Sequence, residues 1–107
     1  MTIKLSLPIR TVNSLNSREH WSKRARRAKR ERHASYIFTP KGIKTPVTVT
    51  LVRLAPKVMD DDGLSASFKN LRDGIADKLG VDDGSPLIKW VYVQRVSKEY
   101  GIQIEFE

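Results

Sequence analysis

Cysteine is absent from the chain. That excludes a disulfide framework, a thiolate nucleophile and a zinc–thiolate site. Long apolar runs are absent as well. Nothing near the N-terminus has the apolar centre of a signal peptide, and no stretch approaches the roughly 20 residues of a membrane span. A soluble, cytoplasmic protein is therefore expected. No repeat and no low-complexity segment interrupts the sequence. Its 107 residues read as a single domain, 1–107, long enough for one modest core.

Acidic residues are scarce over most of the chain, and their distribution is uneven. Twenty Lys and Arg stand against twelve Asp and Glu, for a formal net charge of +8. Such a balance suggests a polyanionic partner. Seven of the twelve carboxylates fall between Val58 and Pro86, in VMDDDGLSASFKNLRDGIADKLGVDDGSP. By contrast, Arg18 to Arg32 holds eight Lys or Arg and only two Glu. A nucleic-acid-processing enzyme needs this separation, with a basic surface for phosphates and an acidic one for a metal.

The order of elements follows from periodicity. Ile3, Leu5 and Leu7 alternate with Lys4 and Ser6, as in a half-buried strand closed by Pro8. Asn16 and Glu19 fit a capping box, which opens a basic helix to Phe38 with Trp21, Ala25 and Ala28 on a narrow apolar stripe. PVTVTLVRL from Pro46 to Leu54 is a β-branched, alternating strand. Leu64, Phe68, Leu71, Ile75 and Leu79 then share one helix face, and Gly80 offers a left-handed end. Ile88 to Val96 is apolar on both faces, which suggests a central strand. Ile102, Ile104 and Phe106 alternate in a last strand, expected to form an antiparallel hairpin with the one before. The fold class expected is α/β (α+β): β-α-β-α-β-β, a small mixed sheet with helices packed against it.

Asp60, Asp61 and Asp62 crowd the start of the acidic segment, and Asp82 and Asp83 its end. If these carboxylates share a site they repel one another, and a hard cation such as Mg²⁺ removes the repulsion. The plainer alternative is that the first three cap a helix and complement its dipole. An EF-hand loop is excluded, since Val58 and Lys69 would stand at ligand positions. Lys69, Asp73 and Asp77, spaced by four, share a second helix face. They could be a solvated i,i+4 ladder, or could look into a cleft or a partner subunit, with Lys69 meeting a phosphate and Asp73 holding it. For the basic helix the plain alternative is a solvated face. Like charges at i,i+4 nonetheless oppose the helix unless phosphates neutralise them.

Taken together, these motifs resemble the RusA-type Holliday junction resolvases. Asp60-Asp61-Asp62-Gly63-Leu64 stands at that family's first acidic motif, and Lys69 and Asp73 match its helical Lys and Asp. Asp82-Asp83 matches its second acidic pair. SLNSREHW, with Asn16, His20 and Trp21, is similar to its N-terminal segment. The resemblance spans nearly the whole chain. Two features depart from it: Gly63 replaces the usual Asn, and Lys69 follows Asp62 by seven residues instead of four.

The resemblance implies a Mg²⁺-dependent endodeoxyribonuclease, with Mn²⁺ a possible substitute, that resolves four-way DNA junctions in recombination and repair. It implies a homodimer, in a bacterial or phage-infected cell. Asp60, Asp62, Asp82 and Asp83 would be metal ligands, and Asp60, Asp62, Asp83 and Lys69 catalytic. Arg18, Lys23, Arg24, Arg26, Arg27, Lys29 and Arg30 would bind DNA, with Asp73, His20 and Trp21 in support. Two rivals lack catalysis: a basic DNA- or RNA-binding protein of phage or prophage origin, and an interaction protein whose basic helix meets an acidic partner.

Overall fold

A computed structural model describes residues 2–12 and 20–107. Seven elements follow in order: β1 (Ile3–Leu7), α1 (Trp21–Phe38), β2 (Val47–Ala55), α2 (Asp61–Ser67), α3 (Lys69–Leu79), β3 (Ile88–Val96) and β4 (Gly101–Phe106). They make a single α+β domain with one mixed sheet, ordered β1-β4-β2-β3. β4 pairs antiparallel with both β1 and β2, while β3 pairs parallel with β2. Among the described residues no helix is long and apolar enough to cross a membrane.

The expected hairpin between the last two strands does not form. β4 passes over β2 and inserts between β1 and β2, leaving β3 at an edge of the sheet. Burial explains the exchange. Ile102, Ile104 and Phe106 are almost wholly buried, and only an inner position covers their alternating apolar face. β3 carries Lys89, Gln94 and Arg95, which an edge tolerates. The four-residue link after Val96 can reach roughly 13 Å, enough to cross one strand. Ser97 N–H, on that link, donates to Ala55 O at the end of β2.

One sheet face carries the core. Val49 and Leu51 of β2 stand beside Ile104 and Phe106 of β4 and Trp90 and Tyr92 of β3. Leu64, Phe68, Leu71 and Ile75 pack down onto them, so the apolar helix face read from the sequence is the one that is buried. The helix itself is two. It starts at Asp61, three residues earlier than the periodicity suggests, and breaks at Phe68 (φ −98°, ψ −1°). Two short-range bonds tighten the turn there: Ser67 Oγ donates to Leu64 O at 2.7 Å, and Phe68 N–H to Ser65 O at 3.2 Å. Serine hydroxyls compete with the helix ladder in this way, and i,i+3 bonds close a last turn. α3 ends at Gly80 in the left-handed region (φ 75°).

α1 packs on α3, but through a polar face. Arg27, Glu31 and Ser35 are its buried residues. The expected stripe of Trp21, Ala25 and Ala28 does not face inward: Trp21 and Ala25 are exposed and Ala28 is half-buried. The reason lies on α3. A Cβ on Gly74 would stand 2.0 Å from Ser35 Oγ and 2.2 Å from Arg32 O. The missing side chain lets the helices approach closely, and the approach brings Ser35 and Glu31 to α3, where Asn70 Nδ2 donates to Glu31 Oε1 at 3.0 Å. Burial pushes the Glu31 carboxyl up from its ordinary value, against the Asn70 hydrogen bond and the charges of Arg27 and Arg30.

Candidate functional site

β3 anchors both acidic groups. Its residues Trp90, Tyr92 and Gln94 lie on the side of the sheet that the helices cover, about 6.6 Å apart in succession along the strand. At one end Trp90 Nε1 donates to Asp83 O at 2.8 Å. In the middle Tyr92 Oη meets Arg72 Nη1 at 2.5 Å, and Arg72 Nη2 reaches Asp83 Oδ2 at 2.9 Å. At the other end the Gln94 amide clasps Met59, accepting from its N–H at 2.9 Å and donating to its O at 2.7 Å. Asp60 follows at once. Two segments more than twenty residues apart are thus tied to one strand face.

The first group serves its helix. Asp60 is the N-cap of α2, its Oδ1 accepting from Gly63 N–H at 2.7 Å. Asp61 and Asp62 occupy the first turn and are exposed, where the helix dipole favours negative charge. Gly63 is buried, in the place where the resemblance puts Asn, and donates its N–H to the cap.

The second group belongs to a more crowded place. Asp82 Oδ1 accepts from Gly84 N–H at 3.0 Å, shaping the turn. Asp83 is held by Arg72, whose guanidinium also lies 5.5 Å from the Trp90 ring. That hydrogen bond draws the Asp83 carboxyl below its ordinary value; burial opposes it, while the bond with Asp82 and the charges of Arg72 and Lys69 add to it. Lys69 therefore acts on Asp83 through space, while its Nζ stands 3.7 Å from Asp73 and remains largely exposed. A cleft of about 280 Å³ is lined by Asp73, Asp77, Asp82 and Asp83 together with Arg32. Of the helix face of Lys69, Asp73 and Asp77, the two aspartates line this cleft and Lys69 does not.

The donor chemistry suits a hard divalent cation. Asp60, Asp62, Asp82 and Asp83 offer carboxylate oxygens, and no thiolate accompanies them. Their placement is less convergent than their chemistry: among the described residues, no three His, Asp or Glu stand close enough together to hold one ion. The structure gathers Asp82, Asp83, Lys69 and Asp73, and sets Asp60 and Asp62 at the other end of the β3 face.

The basic residues divide in two. Lys23, Arg24, Arg26, Lys29 and Arg30 lie exposed along α1. Arg27 does not: it is 8% exposed and lies 3.9 Å from Glu31, so its expected phosphate contact is replaced by a structural one. Arg18, Asn16 and Glu19 lie outside the described residues. His20 caps α1, its Nδ1 accepting from Ser22 N–H at 3.2 Å, and its ring lies 5.4 Å from that of Trp21, which is 73% exposed.

Arg72, Tyr92 and Gln94 escaped the sequence reading as site residues. The signal available was weak: an Arg next to Asp73 on α3, and three large side chains alternating on a strand. What joins them is the parallel pairing of β2 with β3, which no local pattern announces.

No protein-family model matches the chain. The chain is similar to a protein of Xylella fastidiosa described as uncharacterized, with 36% identity over 80 residues. The match covers 65% of this chain and 52% of that protein, so the chain spans about half the length of its relative.

Proposed function

We propose that this protein is a Mg²⁺-dependent, structure-selective endodeoxyribonuclease of the RusA type, acting on four-way DNA junctions in recombination and repair. One observation carries the reading. Two distant acidic segments are tied to the same face of β3: the one carrying Asp60–Asp62 at its neighbour Met59, through Gln94, and the other at Asp83, through Trp90 and through Arg72 with Tyr92. Capping accounts for Asp60 but not for Asp83, which is held instead by Arg72 beside the strand.

The residues divide the work. The resemblance assigns Asp60, Asp62 and Asp83, with Asp82, to the ion; to hold one ion together the two groups would have to be drawn in from opposite ends of the β3 face, since no three of them gather in this structure. A bound Mg²⁺ would supply an activated water and would neutralise charge on a phosphate. Lys69, exposed beside Asp73, would meet the phosphate oxygens, and Asp73 keeps its ammonium on that side. The exposed Lys and Arg of α1 would hold the junction arms through their phosphates, reading shape and not sequence. Symmetric cutting of a four-way junction requires two such sites, and a two-fold homodimer would provide them.

A second reading has its own support. Asp60 is engaged as a cap and Asp83 with Arg72, and this favours a basic DNA- or RNA-binding protein whose carboxylates are structural. Incubating a labelled four-way junction with the protein in Mg²⁺ and in Mn²⁺ separates the two. The nuclease reading expects paired cuts that vanish in Asp62→Asn and in Asp83→Asn while junction binding persists. Binding without cleavage in either metal supports the second reading. In both, a protein making about six phosphate contacts loses on the order of a thousandfold in affinity between roughly 50 and 200 mM salt.

A further inference from the structure

A second cleft, of about 610 Å³, opens on the solvent face of α1. Arg26, Lys29, Arg30, Arg32, Tyr36 and Asp77 contribute to its lining. Helix geometry explains which residues look outward there. At about 100° per residue, Arg26, Lys29 and Tyr36 point away from Arg27, Glu31 and Ser35, the face turned toward α3. The cleft's one acid is neutralised from within: both Nε and Nη2 of Arg32 lie 2.8 Å from Asp77 Oδ2. Its remaining cations therefore face solvent with little opposing charge.

An aromatic ring stands in this basic cleft. Tyr36 is 44% exposed, and Lys78 Nζ lies 4.4 Å from the centre of its ring. That contact fixes the ring and adds a positive charge beside it. Ile37 and Phe38 follow at the helix end and are also half exposed or more. A surface that only neutralised duplex phosphates would need cations alone. An exposed ring among cations suits a strand whose bases are free to stack, because every base has a π-face and the backbone beside it is anionic.

We propose that this cleft takes an unpaired DNA strand, with a base stacked on Tyr36 and the flanking phosphates on Arg26, Lys29 and Arg30. The choice of DNA rests on the junction-acting reading above; the stacking rests on the cleft itself. In the junction setting the site would hold nucleotides that have left the paired arms, beside the carboxylate cleft, with which it shares Arg32 and Asp77.

Fluorescence anisotropy in EDTA tests this without any cleavage, using a short oligothymidylate and a duplex of equal length. Tyr36→Ala is expected to bind the oligothymidylate roughly tenfold more weakly, with duplex affinity unchanged, and Tyr36→Phe to bind both as the parent does. Circular dichroism would show both variants folded, since the side chain is exposed. Tyr36→Ala binding the single strand as tightly as the parent, or weakening on strand and duplex alike, overturns the proposal. The two readings fail separately: a protein that passes this test and never cleaves a junction keeps the strand site and loses the nuclease. One that cleaves while Tyr36→Ala changes nothing keeps the nuclease and loses the strand site.

Discussion

In the first acidic group one carboxylate, Asp60, caps the helix it begins; in the second, Asp83 is held by a cation of α3. Asp60 caps α2 through Gly63, and Asp61 and Asp62 are left in solvent. Asp83 meets Arg72 at 2.9 Å, where both side chains are about a quarter exposed. Similar local sequence, two or three adjacent aspartates beside a glycine, thus yields one group whose geometry is local and one whose geometry depends on β3. The difference teaches that charge clustering marks a place in the chain but does not say what holds it. A local cap can be read from adjacent residues. An aspartate whose carboxylate is fixed by an arginine eleven positions earlier, and whose backbone carbonyl by a tryptophan seven later, cannot.

The comparison can be broken most forcefully through activity. If both groups act on one ion, Asp62→Asn and Asp83→Asn should each lower junction cleavage on the order of a hundredfold or more, as loss of metal-site support does. The double variant should be no worse than either single one, because residues acting as a unit are not additive. Independent, multiplying losses in single-turnover assays would separate the groups again.

Stability sharpens it next. Arg72→Met leaves Asp83 without its cation and Tyr92 without its partner, at a cost of about 1–3 kcal/mol. In a domain of this size each kcal/mol lowers the thermal midpoint by roughly 4–8 °C. Asp60→Ala removes a helix cap, worth about 1 kcal/mol. Asp61→Ala touches only the first helical turn and should stay within about 0.5 kcal/mol of the parent. Thermal melts of the three variants, in that order of loss, check the assignment of one structural carboxylate to each group.

Acid titration gives a smaller effect. The Arg72 hydrogen bond holds the Asp83 carboxyl below its ordinary value. A depressed value in the folded state means that the unfolded chain takes up the proton first as the pH falls. The stabilisation from this pair is therefore complete above the usual Asp value of about 3.9, and is lost as the pH drops through the lower, folded one. Carbon-13 NMR of the Asp83 carboxyl should show a midpoint below that of a free aspartate, moving upward in Arg72→Met. An unmoved midpoint would mean that the guanidinium does not control it.

Much of the scaffold was legible beforehand, because it depends on periodicity. The alternation of Ile3, Leu5 and Leu7 marks β1, the β-branched run after Pro46 marks β2, and Phe68, Leu71 and Ile75 mark the buried helix face. Gly80 ends α3 where a left-handed residue is needed. What stayed hidden depends on distant partners. β4 looked like half of a hairpin because its link to β3 is short, yet Ile102 and Ile104 needed strands on both sides. Arg27 looked like one more surface cation until Gly74 let α1 come close enough to bury the Arg27–Glu31–Ser35 face. The acidic residues themselves were conspicuous; Arg72, Tyr92 and Gln94, which place them, were not.

The claim on which the account turns is that both acidic groups serve one ion. Mn²⁺ binding followed by electron paramagnetic resonance tests it without DNA or catalysis. The account predicts binding by the parent that weakens in Asp62→Asn and weakens equally in Asp83→Asn. Binding that responds to one of these substitutions and ignores the other, or a parent that takes up no ion, would contradict it.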